Sequence, residues 1–337
     1  MKYYATQFGA NGSLTRQIEL GDAVSIWETI GSVSNTAGDC FWYRDRYFGV
    51  IYADGTQPTP TYYDINALGE FTNEPHKIYD MKLSRDGTYL YILSNSTGSD
   101  GTLTKIATAD LSSIIVSVRN GIQYTSRILV DRNDFVWMEN RNTAFNNALI
   151  YRYSGSDLSA KGSDPHTSGR TIAMDARGYC WGWHYWDQAD YFSRWMENPA
   201  NPTAIIENAA LNPNCRLANI LDAVCWSDGT NHYAYILQNE VADTTTVNKI
   251  YKIDLTNPDA PADPVAITLT GLTNCYNLHV DYAGSIYFSS YGLGGYITYK
   301  IDKTTHIITT FSGVGTQTIG NDPFAYFLSN TGHTGVV

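Results

Sequence analysis

The sequence predicts an all-β fold assembled from repeated four-stranded sheets, and three observations predict it. Short apolar and aromatic runs alternate with polar turns along the chain, which is typical of strands joined by hairpins. The turns recur at a regular period, and the two ends of the chain each supply only half of a repeat. No segment shows the sustained 3.6-residue apolar period of a long helix.

The repeat consists of a short apolar strand, a polar turn that often contains Asp and Gly, and an aromatic strand. Clear copies span residues 81–92, 128–138, 172–183, 223–236 and 278–288, and weaker copies span 41–50 and 319–327. The turns lie near Arg46, Gly87, Asp134, Gly178, Gly229, Gly284 and Pro323. Their mean spacing of about 46 residues is the period of four-stranded propeller blades.

The two chain ends predict how the ring closes. Residues 1–20 contain one hairpin, and residues 318–330 contain only the inner half of a blade. We therefore predict one domain over residues 1–337, a seven-bladed β-propeller closed by pairing N-terminal outer strands with C-terminal inner strands. Residues 1–20 plus 318–337 form the closing blade, which leaves few exposed sheet edges.

Composition excludes two classes of partner. The chain of 337 residues has a net charge of −11 and no run of Lys or Arg, so we expect no nucleic-acid partner. No apolar stretch approaches the ~18 residues of a membrane-spanning helix, so we expect no membrane insertion.

The N-terminus lacks the apolar region of a secretion signal. The five Cys show no CxxC pair, and we expect them to be reduced.

Three segments resemble known propeller repeats. Residues 83–92 together with 249–255 are similar to the Ser-x-Asp-Gly repeat of bacterial β-propellers. Residues 280–288 resemble blades of the NHL and gluconolactonase-like group. The resemblance implies the fold and no particular activity, because propellers host many functions.

The inner strands supply candidates for the wall of a central channel. We expect this wall to include polar and aromatic residues of several inner strands: Tyr79, Asp80, Arg127, Arg170, Asn219, Asn277 and His279. In the gluconolactonase-like group, carboxylate and amide oxygens near the channel mouth hold a divalent ion. Here two arginines at equivalent positions would repel a cation, so we predict no metal site and no cofactor.

A dense aromatic run over residues 179–195 has two interpretations. Trp181, Trp183 and Tyr185 alternate along a predicted strand and would pack between blades. Aromatic rings beside polar groups are also what a saccharide site needs. The candidates for such a ligand-binding loop are Tyr185, Trp186, Asp187 and Tyr191.

The motifs predict a protein that is not an enzyme. The sequence contains no HExxH, no GxSxG nucleophile motif and no phosphate-binding loop. We expect a structural or recognition propeller that contacts other protein subunits of an assembly, with a host glycan as a further possible ligand. The Tyr-, Thr- and Asn-rich, charge-poor composition favours a virion component assembled in the cytoplasm, such as a bacteriophage tail, fibre or decoration protein.

Two other functions stay open. One is an extracellular, lectin-like propeller that binds carbohydrate through loop aromatics. The other is a metal-dependent lactonase or hydrolase similar to the gluconolactonase-like group, which requires convergent carboxylates and an ion at the channel mouth.

Overall fold

The structure is a computed structural model, and it describes most of the chain. The described residues are 2–8, 14–22, 30–35, 37, 39–60, 62–69, 75–96, 101–119, 125–140, 150–164, 169–184, 192–208, 211–215, 217, 220–242, 245–272, 275–280, 284–292, 295–312, 316–319 and 326–329. Within them, the regular structure is almost entirely β-strand.

Six four-stranded antiparallel sheets, here called blades A to F, are each built from four consecutive strands. Blade A contains Ile30–Ser34 (β3), Cys40–Arg44 (β4), Tyr47–Ile51 (β5) and Tyr63–Asp64 (β6). Blade B contains Lys77–Leu83 (β7), Tyr89–Asn95 (β8), Thr102–Ala107 (β9) and Asp110–Arg119 (β10). Blade C contains Thr125–Val130 (β11), Val136–Asn140 (β12), Ile150–Tyr153 (β13) and Ala160–Asp164 (β14).

The next three blades repeat this plan. Blade D contains Gly169–Met174 (β15), Cys180–His184 (β16), Phe192–Asn198 (β17) and Asn201–Asn208 (β18). Blade E contains Ile220–Ser227 (β19), His232–Ala242 (β20), Thr245–Asp254 (β21) and Val265–Thr268 (β22). Blade F contains Cys275–Val280 (β23), Ile286–Gly292 (β24), Gly295–Ile301 (β25) and Ile308–Ser312 (β26). Two short helical segments, Ile65–Leu68 (α1) and the 3-10 turn Pro213–Cys215, lie in connections.

One further four-stranded sheet, here called the terminal sheet, joins the two ends of the chain. It contains Lys2–Phe8 (β1), Leu14–Asp22 (β2), Thr316–Ile319 (β27) and Tyr326–Ser329 (β28), in the order β2-β1-β28-β27. The pairing between β1 and β28 is antiparallel and runs from Tyr4 opposite Ser329 to Gln7 opposite Tyr326.

The predicted all-β propeller is confirmed, but the number of blades needs a correction. Six blades consist of consecutive strands, against the seven predicted. The terminal sheet is the seventh four-stranded sheet among the described residues, but it differs from the six blades because its strands come from both ends of the chain. The first strands of blades A to F contact one another in cyclic order, and β27 contacts both β23 and β3.

Each hydrophobic cluster lies between two neighbouring blades. Residues of blades A and B share one cluster around Phe48 and Met81, and residues of blades B and C share another around Leu93 and Met138. The same holds for blades C and D, D and E, and E and F. Blades B to E are therefore buried on both faces, which explains why their central strands are rich in apolar and aromatic residues.

The predicted turns adopt the geometry that their residues favour. Gly87, Gly178, Gly229 and Gly284 all have positive φ, and Asp134 occupies the equivalent position with a φ of 59°. Positive φ suits glycine because it lacks a Cβ atom. In blades B to F, the repeat unit inferred from the sequence thus corresponds to the hairpin between the first two strands. In blade A the prediction is wrong by one strand, because the turn near Arg46 joins the second and third strands, Cys40–Arg44 and Tyr47–Ile51.

An aspartate fixes this hairpin in two successive blades. One oxygen of Asp131 accepts hydrogen bonds from the backbone N–H groups of Asn133 and Phe135, at 2.8 and 3.0 Å. Its other oxygen accepts from the indole Nε1 of Trp137, at 2.9 Å. Asp175 repeats the arrangement with the indole of Trp181, at 3.0 Å. The turn and the strand that follows it are thereby held by one side chain.

Cations on the third strands attach each of three blades to the next. Lys105 of blade B donates to the carbonyl oxygen of Gly155 in blade C, at 2.6 Å. Arg152 of blade C pairs with Glu197 of blade D at 2.7 Å, and Arg194 of blade D pairs with Asp259 of blade E at 2.9 Å. Each cation also lies over an aromatic ring of its own blade, which adds a cation–π attraction.

Gly155 is required by the close approach of blades B and C. A Cβ atom at this position would lie 1.8 Å from the carbonyl oxygen of Asp134 and 2.6 Å from the hydroxyl of Tyr91. The absent side chain lets the Gly155 carbonyl accept from Tyr91 Oη, at 3.0 Å, as well as from Lys105.

No helix among the described residues is long and apolar enough to span a membrane. All five Cys are free, as predicted, and the Sγ atom of Cys215 donates to the carbonyl oxygen of Ala262.

Deleting residues 1–22 tests the terminal sheet. The deletion removes β1 and β2 and leaves β28 with an unpaired edge. We expect the melting temperature to fall by at least about 5 °C, with greater aggregation on heating. Differential scanning calorimetry of the full and truncated chains measures the difference, and equal melting temperatures would contradict the pairing.

Candidate functional site

The aromatic loop predicted to bind a ligand lies outside the described residues. This applies to Tyr185, Trp186, Asp187 and Tyr191. The strand before it is described, and Trp181 and Trp183 are buried there. Their rings stack on Phe192 with centroid separations of 5.3 and 5.2 Å, in a cluster shared by blades D and E. The packing interpretation of these two tryptophans is confirmed.

Ionisable side chains from four blades meet at the centre of the ring. They are Asp80 and Lys82 of blade B, Arg127 of blade C, Asp222 of blade E and His279 of blade F, here called the axial cluster. Each side chain comes from the first strand of its blade. The first strands of successive blades contact one another around the central axis, so this is where side chains from different blades can meet.

The residues predicted to line the channel do not all lie together in the structure. Asp80, Arg127 and His279 belong to the axial cluster, whereas Asn219 and the side chains of Arg170 and Asn277 lie outside the described part of the chain. The Tyr79 side chain packs against the hydrophobic cluster between blades B and C. A β-bulge between Ile78 and Asp80 shifts the alternation of β7, so that the neighbouring Asp80 reaches the axial cluster.

Two aspartates link neighbouring blades in the same way. The carboxylate of Asp80 accepts from the N–H of Met81 in its own strand and from the N–H of Ile128 in blade C, both at 2.9 Å. The carboxylate of Asp222 accepts from the N–H of Ala223 and from the N–H of Leu278 in blade F, both at 2.8 Å. Both aspartates follow a bulge in the first strand of their blade.

Arg127 spans three blades. Its Nη1 atom donates to the carbonyl oxygens of Ile172 in blade D and Ala223 in blade E, both at 3.1 Å. Its Nη2 atom forms an ion pair with the carboxylate of Asp222. Burial disfavours the charge of Arg127, but the carboxylates of Asp222 and Glu139 outweigh burial and raise its pKa.

The pKa of Asp222, the carboxylate paired with Arg127, shifts in the opposite direction. Burial alone would raise the pKa of Asp222, but the guanidinium of Arg127 and the N–H of Leu278 lower it. Asp222 therefore stays ionised at neutral pH and keeps its link to the next blade.

His279 is neutral at physiological pH. Burial lowers its pKa to about 4, and the positive charges of Lys82 and Arg127 act in the same direction. The carboxylates of Asp222 and Asp80 oppose this shift without reversing it. The axial cluster thus contains two cations and two anions, with a neutral imidazole beside them.

These contacts define what the axial cluster can do chemically. Both aspartate carboxylates already accept two backbone hydrogen bonds each, and each also pairs with a cation. Among the described residues, no group of three or more His, Cys, Asp and Glu is arranged to hold a metal ion. Both carboxylates thus take part in contacts that link neighbouring blades and hold a cation.

Asp222 and the cations of the third strands were not among the functional residues predicted from the sequence. A detectable signal was the recurrence of Lys or Arg at one register position in successive blades, opposite Tyr91, Trp137 and Trp181. Asp222 carries no comparable signal, because its role depends on a bulge and on strands far away in the sequence.

Exposed large apolar side chains lie at the outer rim. Among the described residues they are Tyr62, Ile115, Val265 and Ile307, with exposed fractions of 48, 51, 58 and 60%. Ile115 and Val265 lie in the outermost strands of blades B and E, and Ile307 precedes the outermost strand of blade F. Tyr62 directly precedes β6 of blade A.

Replacing Asp222 with Asn tests the axial cluster. The change leaves the charge of Arg127 without its nearest carboxylate, so we expect the free energy of unfolding to fall by roughly 3 kcal/mol. The matched control is Asp45→Asn at the more exposed pair with Lys77, whose side chains are 27% and 40% exposed, and the expected loss there is below about 1 kcal/mol. Equal losses in urea unfolding would contradict the importance of the axial pair.

The protonation of His279 predicts a pH dependence of stability. Its folded-state pKa of about 4 lies below the ordinary value of 6.5, so the unfolded chain binds the proton more readily. Its contribution to stability is complete above pH 6.5 and is lost as the pH falls towards 4, by up to about 3 kcal/mol. Urea unfolding across this pH range should show a shallower loss for His279→Gln than for the unaltered chain. Identical profiles would contradict the assignment.

Comparisons with known proteins show a shared fold. No protein-family model and no curated protein sequence matches the chain. Among solved structures, it is similar to Kuenenia stuttgartiensis hydrazine synthase, with 12% identity, coverage of 84% of this chain and 80% of that one, and a TM-score of 0.58. The β-propeller domain of the trilobed protease from Pyrococcus furiosus has 9% identity, coverage of 93% of both chains and a TM-score of 0.56. Extracellular domains 1–2 of Drosophila semaphorin 1b have 6% identity, coverage of 90% and 84%, and a TM-score of 0.53. At these identities the likeness extends to the propeller fold alone.

Proposed function

We propose that the chain is a non-catalytic propeller that serves as a rigid subunit and makes protein–protein contacts within a larger assembly. The observation that carries the proposal is the arrangement of Arg127, whose guanidinium bonds to groups of blades D and E at the centre of the ring. A metal-dependent lactonase needs carboxylates that are free to bind an ion. Here Asp80 and Asp222 are already paired with cations and backbone N–H groups.

The proposal includes the organisation of the chain as one domain. In it, the terminal sheet acts as a seventh blade and closes the ring, supported by the contacts of β27 with β3 and β23. A closed ring suits a structural subunit, because opening it would require separating a blade from both neighbours.

The rim supplies the contact surface. Ile115, Val265 and Ile307 each expose more than half of their area, and each lies in or beside an outermost strand. Covering such side chains in an interface gains roughly 25 cal/mol for each Å² of apolar area removed from water. We propose a virus particle as the setting, with a bacteriophage tail, fibre or decoration protein as the specific role; support for this setting comes from composition alone.

Changing the three aliphatic rim residues to Ser tests the contact surface. The combined variant Ile115→Ser, Val265→Ser and Ile307→Ser should keep the melting temperature within about 3 °C, because the side chains are exposed. It should also lose at least about tenfold in co-sedimentation with virus particles isolated from the native source, because the apolar contact area is lost.

A matched triple variant provides the control. Ala176, Thr230 and Thr304 are exposed residues of turns, and changing each to Ser alters no large apolar surface. The control should co-sediment like the unaltered chain. Undiminished association of the rim variant would overturn the contact surface, and a native chain found only as a free monomer would overturn the assembly role.

A further inference from the structure

A tyrosine pair on blade A forms an exposed aromatic platform. Tyr62 is the aromatic member of the exposed rim residues and exposes 48% of its area. Its ring meets that of Tyr47 edge to face, with centroids 5.3 Å apart and an interplanar angle of 78°. This geometry is a favoured arrangement of two aromatic rings, so Tyr62 has a defined support.

A charged donor and a charged acceptor lie beside the two rings. Arg46 lies over the Tyr47 ring at 4.9 Å, and its Nη2 atom donates to the Tyr47 hydroxyl at 2.6 Å. Its Nε atom is 3.2 Å from the carboxylate of Asp64. The side chains of Arg46 and Asp64 are 41% and 24% exposed, so solvent reaches both.

The strands of blade A hold these four residues in place. Tyr47 is paired with Asp64 across β5 and β6, and Phe48 is paired with Tyr63. The Tyr63 ring packs against Phe48, with centroids 5.8 Å apart, in the apolar interior. Because side chains alternate along a strand, Tyr62 and Asp64 lie on the opposite, outward side. The N–H of Ile65 donates to the carbonyl of Arg46 at 3.0 Å and fastens the two segments together.

We propose that Tyr62, Tyr47, Arg46 and Asp64 form a binding site for a neutral pyranose sugar. The C–H face of a pyranose stacks on the exposed Tyr62 ring, which is rigid and has little conformational entropy to lose. Neighbouring hydroxyl groups accept from the guanidinium of Arg46 and donate to the carboxylate of Asp64.

The charges at the platform favour a neutral ligand. Asp64 would repel an anionic group, and Arg46 would repel a cationic one, since both lie at the same edge of the platform. A purely apolar segment would strip water from this ion pair without replacing its hydrogen bonds, which is costly. Hydroxyl groups satisfy both members of the pair.

The inference goes beyond the proposed assembly function and does not depend on it. The three aliphatic rim residues lie in or beside strands of blades B, E and F, whereas the platform lies on blade A. Failure of either proposal would therefore leave the other intact.

Saturation-transfer difference NMR on the full chain tests the site. The probes are methyl α-glucopyranoside, methyl β-galactopyranoside and N-acetylglucosamine, titrated separately. Because stacking acts on the C–H face that pyranoses share, we expect transfer to ring C–H protons of all three. Tyr62→Ala should weaken binding roughly three- to tenfold, whereas Tyr62→Phe should retain it, because the ring remains.

Further variants separate the site from general surface effects. Arg46→Met should weaken binding without removing the Tyr62 ring, and Ile307→Ala is the matched exposed control that should leave binding unchanged. The combined rim variant should bind the sugars normally. The proposal is overturned if none of the three probes shows transfer, or if Tyr62→Ala and Arg46→Met both bind like the unaltered chain.

Discussion

The attachment of each blade to its neighbours is the constraint on which this fold depends. The sheet ladders run within a blade, and one backbone hydrogen bond, from the N–H of Ile78 in blade B to the carbonyl oxygen of Asp45 in blade A, crosses a junction. The other described contacts between neighbouring blades involve side chains, which pack together or bond to backbone groups. Five apolar clusters lie at the junctions from A to F among the described residues. Apolar contact is not directional, so polar contacts at the junctions are needed to fix how one blade is placed against the next.

The polar contacts form a nearly continuous series around the ring. The Tyr43 hydroxyl of blade A donates to the Tyr79 carbonyl of blade B at 2.8 Å, and Asp80 of blade B accepts from blade C. Arg127 carries the series from blade C to D and E, and Asp222 carries it from E to F. Each contact uses a side chain on one blade and a backbone group on the next, which fixes the angle between them as well as their separation.

This dependence also explains which features the sequence could predict. The turns at Gly87, Gly178, Gly229 and Gly284 were predictable because a positive φ and a hairpin are properties of a few adjacent residues. The buried tryptophans were predictable from strand alternation. Asp80 was among the residues predicted to line the channel, but Asp222 was not, because it follows a bulge that reverses the strand alternation on which such a prediction rests. The Arg127–Asp222 pair joins residues 95 positions apart, and no local pattern encodes such a contact.

Because blades are joined at the axis, the residues that stabilise the ring differ from the exposed residues proposed for binding at the rim. At the axis, each charged group that joins blades is bonded to protein, and a ligand that took such a group would have to compete with contacts between blades. At the rim, each outermost strand bonds to only one neighbour within its blade, and Ile115 and Val265 of such strands are more than half exposed. Tyr62 and Ile307 are therefore positions where a ligand or a partner gains contact area without disturbing the ring. Because the centre of this propeller holds the blades together, binding at the rim would disturb the fold less than binding at the axis.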